Sequence, residues 1–92
     1  MFCPGLPYRC SPSVALRPEP FGALAYDFST RRLSFLKSLE LVEVVRRLEH
    51  HRDVHAALDA AGVHPERHGS LLAALASLCD TGTIEPRGGV PA

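Results

Sequence analysis

The hydrophobic period of this chain changes once, from two to about 3.6, and the change falls at Ser38. Before it, Leu24, Tyr26 and Phe28 alternate with Ala23, Ala25 and Asp27, and Leu33 and Phe35 alternate with Arg32 and Ser34. Successive side chains on a strand point to opposite faces, so Phe21 to Phe28 and Arg31 to Leu36 read as strands, with Ser29 and Thr30 as a tight turn between them. Val14 to Arg17 is a shorter apolar stretch stopped by Pro18 and Pro20. Three short strands with short connections make an antiparallel meander. The alternation gives each strand one apolar and one polar face, and the apolar face is expected to be the covered one.

After Ser38 the pattern is helical. Ser38 is a good N-cap for a helix to about His50, in which Leu41, Val44, Val45 and Leu48 form one apolar stripe. Glu43 and Arg47 stand at the favourable i, i+4 spacing. Asp53 suits the cap of a second, short helix that Gly62 ends in a left-handed turn, with Val63 as the following hydrophobic contact. Pro65 belongs to the first turn of a third helix running to about Asp80. That helix carries Leu71, Leu72, Leu75, Leu78 and Cys79 on more than one stripe, and no charge from Ser70 to Ser77. A helix with so little polar surface calls for cover on more than one side, from the rest of the chain or from a partner.

At 92 residues, one small core is all the length allows. Ten basic and ten acidic residues cancel, which argues against a protein held to nucleic acid by its own field. No apolar run approaches the roughly 20 residues of a membrane span. The N-terminus, interrupted by Pro4 and Pro7, lacks the pattern of a secretory signal, so a soluble cytoplasmic protein with reduced cysteines is expected. Residues 1–13 read as a flexible lead-in, 14–85 as the domain and 86–92 as a flexible tail. Of the three cysteines, Cys79 reads as a core residue, while Cys3 and Cys10 carry no pairing signal. The five histidines include two pairs four apart, His51/His55 and His64/His68, but no further ligand motif accompanies them, and solvated histidines are the better reading. No metal, cofactor or catalytic constellation is indicated.

The second helix, the Ala-Gly-Val turn and the third helix resemble a helix-turn-helix, and the strands suggest a winged variety. A DNA reader needs Arg, Lys, Asn or Gln along the recognition helix. Here that helix has only Arg67 near its start, and the chain has no Asn or Gln and one lysine, Lys37. The shape of a DNA-binding fold is present without its chemistry. The last strand offers another use. An edge strand has spare N–H and C=O groups, and beside the leucine-rich helix it would form an apolar groove for an extended peptide. Arg31, Arg32 and Lys37 would favour an acidic segment. A solvated edge on a winged-helix DNA-binding module or a small structural subunit is the alternative.

The stretch from Val14 to Ser38 resembles the peptide chaperones of the mycofactocin system, most specifically in Arg17-Pro-Glu-Pro-Phe-Gly22 and Thr30-Arg-Arg-Leu-Ser-Phe-Leu36. The Leu41 to Leu48 helix and the Ala-Ala-Gly-Val turn fit as well, so the resemblance runs to about Ile84. More distantly the chain is similar to PqqD-like precursor-peptide recognition domains. The resemblance implies an α+β, winged-helix-like fold, with a three-stranded antiparallel sheet followed by three helices. It implies no enzyme and no cofactor. The partners it implies are a ribosomal precursor peptide, held by its leader as an added strand, and a radical S-adenosylmethionine maturase that carries its own iron–sulfur clusters. Nucleic acid and membrane are not among them. Carried onto this chain, the peptide pairs with Arg32, Leu33, Ser34, Phe35 and Leu36, against a wall of Arg67, His68, Leu71, Leu72 and Leu75. If the Ser34 N–H faces the peptide, proline there removes a donor.

Overall fold

In the computed structural model, residues 2–87 are described. The elements in chain order are β1 (Tyr8–Cys10), β2 (Val14–Glu19), β3 (Gly22–Asp27), β4 (Arg32–Leu36), α1 (Leu39–Arg47), a 3-10 turn (Leu48–His50), α2 (Val54–Ala60), α3 (Pro65–Asp80) and β5 (Ile84–Pro86). Strands β2, β3 and β4 form an antiparallel sheet in that order, and three helices follow it, as the change of period requires. The helix signals act where they stand. The Ser38 hydroxyl accepts the Leu41 N–H at 3.0 Å, and the Asp53 carboxylate accepts that of Ala56 at 2.8 Å. Gly62 takes φ 75°, and Val63 beyond it is buried. The α1 stripe of Leu41, Val44 and Val45 reaches the core, joined by Leu48 in the 3-10 turn. Each such side chain contributes about 1.5–3 kcal/mol by leaving water.

The sheet faces the opposite way from the expectation. Ala23, Ala25 and Asp27 are buried, whereas Leu33, Phe35 and Phe28 are 51%, 54% and 62% exposed. The reason is steric. Helix α1 lies against β3, and a strand bearing alanines on that face lets the helix backbone approach closely. Bulky residues there would hold it off and leave gaps that a packed interior does not tolerate. The covered face is the small one, and the aromatic face is left to solvent.

Asp27, at the end of β3, organises the turn that leads into β4. Its Oδ1 accepts the Ser29 hydroxyl (2.7 Å), the Ser29 N–H (2.9 Å), the Ser13 hydroxyl (3.0 Å) and the Thr30 N–H (3.4 Å). The Ser29 hydroxyl above all, then the Ser29 amide, Ser13 and Thr30, hold this carboxyl below its ordinary range. Arg31 closes the turn at φ 60°.

The third helix is buried along one stripe, Leu71, Leu75 and Leu78, while Ser70, Ala73 and Ser77 stay exposed. The described residues therefore do not supply the two-sided cover that the helix's composition calls for. Residues 8–10, within the lead-in that showed no period, pair as β1 with β5 in a second antiparallel sheet. Tyr8 is 1% exposed, and its hydroxyl accepts the Cys3 N–H at 2.8 Å. Of the expected tail, Pro86 ends β5 and Arg87 donates its N–H to the Pro7 carbonyl; residues 88–92 lie outside the described residues.

Candidate peptide-binding groove

Among the described residues strand β4 pairs with β3 on one side only, which makes it an edge. Which of its backbone groups remain available follows from the hydrogen-bond directions in β3. The Phe28 N–H donates to the Ser13 carbonyl, so Phe28 faces the β2 side. The Asp27 carbonyl accepts from the Arg31 N–H, so Asp27 faces the β4 side. Direction alternates along a strand, so Ala25 and Ala23 also face β4, where Ser34 and Leu36 stand opposite them. Ser34 therefore turns its N–H into the sheet, and Leu33 and Phe35 turn theirs to the open side. A proline test of the edge belongs at those two positions rather than at Ser34.

Beside this edge lie two adjoining hollows against α3. One, of about 240 Å³, is lined by Lys37, Ser38, Leu41, Arg67, Ser70, Leu71 and Ala74. The other, of about 300 Å³, is lined by Phe35, Lys37, Leu41, Ala74, Ser77 and Leu78. Together they form a groove floored by Leu41 and walled by the face of α3 that carries Ser70, Ala74 and Ser77. These small side chains recur at i, i+4 and i+7, and their lack of bulk keeps the space open. Arg67 closes one end in an ion pair with Glu40 that ties α3 to α1. Arg31, Arg32 and Lys37 are exposed and form no ion pair among the described residues.

The ten residues carried over by resemblance are not all placed on this groove. Phe35, Arg67 and Leu71 line it, and Leu33 is exposed on the edge strand. Leu36 and Leu75 are fully buried and hold β4 and α3 to the core. Arg32 is exposed at the start of β4, and Ser34 is half-buried with its backbone turned inward. Leu72 packs at the margin of the core. His68 donates Nε2–H to the Val63 carbonyl at 2.9 Å and so braces the turn before α3. In sequence, Lys37 stands out only as a cation favouring an acidic segment, and Leu41, Ser70, Ala74, Ser77 and Leu78 have no place in the groove, although the spacing of the small residues carries the signal.

Among the described residues no three His, Cys, Asp or Glu side chains converge as metal ligands. The Cys10 thiol is pushed up, by burial first and then by the carboxylates of Glu49 and Glu85, so it stays protonated at neutral pH. No helix among the described residues is long and apolar enough to cross a membrane.

A short edge strand beside a groove walled by small side chains offers room for an extended peptide, and known proteins place the chain more narrowly. Residues 7–85 match the model of the peptide chaperone MftB family. The chain belongs to the MftB family. It is 47% identical to the peptide chaperone MftB of Mycolicibacterium smegmatis over 85 residues, covering 92% of this chain and 83% of that one. It is 43% identical to the peptide chaperone MftB of Mycobacterium tuberculosis over 86 residues, covering 94% of this chain and 79% of that one. No solved structure matches the chain. The part matched to the MftB family takes in β1 and the first two residues of β5 as well as the three-stranded sheet and the helices. The relatives are named as chaperones, a non-catalytic role.

Proposed function

We propose that the protein is a peptide chaperone of mycofactocin biosynthesis. It takes the leader of the ribosomal precursor peptide as an added strand on β4 and presents it, in the cytoplasm, to a radical S-adenosylmethionine maturase. The observation that carries this reading is the open side of β4 lying beside a groove walled by Ser70, Ala74 and Ser77. The backbone of Leu33 and Phe35 supplies the template, and alternate side chains of the peptide enter the two hollows. Each backbone bond contributes about 1 kcal/mol net, so the side chains in the hollows carry much of the affinity. The exposed cations Arg31, Arg32 and Lys37 favour an acidic leader.

The chaperone lowers the ordering cost at the maturase. A leader held in one extended form raises the local concentration of the peptide's reactive end, and the iron–sulfur chemistry belongs to the partner.

Proline at Leu33 tests the pairing, with Leu33→Ala as the control for the lost side chain. Proline removes an N–H that points away from β3 to the open side of the sheet, so the fold is retained, as is common at sheet edges. In a fluorescence anisotropy titration with synthetic leader, Leu33→Pro should bind about tenfold more weakly than Leu33→Ala, the equivalent of one backbone contact and its neighbour. Equal affinity of the two variants would refute strand addition.

A further inference from the structure

The groove leaves the other side of the sheet unexplained. Phe21, Tyr26, Phe28, Leu33 and Phe35 are 46%, 37%, 62%, 51% and 54% exposed. They form one patch. Phe21 and Phe35 rings meet at 6.3 Å, Tyr26 and Phe28 meet edge-on at 5.2 Å, and Leu33 stands opposite Tyr26 across the strands. Their open surface comes to about 500 Å², at the upper end of what a monomer shows, and patches of that size are often functional. A peptide strand added on β4 would widen this face without covering it. We propose that this aromatic face docks the maturase, through a surface on that enzyme that is apolar at its centre and acidic at its rim.

Three observations select that occupant. The first is continuity: Phe35 lines the groove and also meets the Phe21 ring, tilted at 59° to it, on the outer face. A protein seated on the face therefore touches the outward side chains of the bound peptide and senses whether the groove is loaded. The second is charge. Arg31 is exposed at the turn beyond the patch and forms no ion pair among the described residues, while Arg17, opposite Leu24 on the same face, has a side chain 79% exposed that is ion-paired with Glu19 at 3.3 Å. Two copies of this chain meeting face to face would bring like charges together, whereas acidic residues on a partner would answer them. The third is area. A stable dimer needs about 800 Å² from each partner, so this patch alone suits an association made and broken in each cycle of delivery.

This inference rests on the peptide-delivery reading, and its test separates the two. The variant Tyr26→Ser/Phe28→Ser removes two rings that line neither hollow of the groove and leaves the sequence of β4 unchanged. Labelled leader and purified maturase are titrated separately against it and against the wild type. The expected result is leader affinity within about twofold of wild type and maturase affinity lowered tenfold or more, since aromatic anchors dominate such interfaces. Unchanged maturase affinity overturns the docking face. If the wild type binds maturase but not leader, the peptide reading falls and the docking inference with it. Light scattering that shows a wild-type dimer, dispersed in the variant, assigns the face to a second copy and overturns the proposal.

Discussion

Gly22→Ala is expected to lower the melting temperature of the protein by about 12 °C or more. Gly22 opens β3 at φ 153°, a backbone region that residues with a side chain avoid. A Cβ built there would stand 2.0 Å from the Leu36 carbonyl oxygen and 3.0 Å from the Ser38 nitrogen. Both obstacles are backbone, so no rotamer change relieves the clash. The end of β4 and the cap of α1 would have to move together, and with them the buried Leu36 and Leu41. The cost is at least about 3 kcal/mol, out of the roughly 5–10 kcal/mol that a domain of this length has in hand. Circular dichroism with thermal and urea melts measures it. A melting temperature within a few degrees of wild type would mean that the close approach of β3 to the start of α1 is not needed.

Ala74→Phe should abolish peptide binding with the fold intact. Ala74 lines both hollows of the groove, and it is half-buried at the edge of the core rather than within it. A phenyl ring on this side of α3 occupies the space into which the peptide's side chains would drop. Each excluded apolar side chain forfeits about 1.5–3 kcal/mol, and losing two corresponds to a fall in affinity of roughly 100-fold or more. The helix itself loses only about half a kcal/mol in propensity. Calorimetric titration with leader peptide reads the binding, and a thermal melt reads the fold. Retained affinity in the folded variant would place the peptide elsewhere.

Much of the fold was legible because local signals and global packing agree. The shift from period two to period 3.6 locates β2 to β4 and the helices, and Ser38, Asp53 and Gly62 mark helix ends as their chemistry predicts. The orientation of the sheet was misread for a definite reason. Leu24, Tyr26, Phe28, Leu33 and Phe35 dominate any hydrophobic count, yet the face that seats the helix is the one made of Ala23 and Ala25. Hydrophobicity identifies a face able to be buried; side-chain size decides which face another element can approach. Strands β1 and β5 span three residues each, too few to show a period, and their pairing depends on residues more than 70 positions apart. The groove was legible in half. Sequence located the edge at β4, but the leucines of α3 drew attention to the helix face that packs inward, while the open wall is made of Ser70, Ala74 and Ser77.

Amide hydrogen exchange, resolved residue by residue with and without saturating leader peptide, probes the edge of β4 itself. Without peptide, Ser34 should exchange slowly because its N–H is bonded within the sheet, and Leu33 and Phe35 should exchange fast. With peptide, Leu33 and Phe35 should slow by about tenfold or more, as amides that have gained a bonded partner do. A leader that binds while both amides keep exchanging at their free rates would show that the peptide is held somewhere other than on this strand.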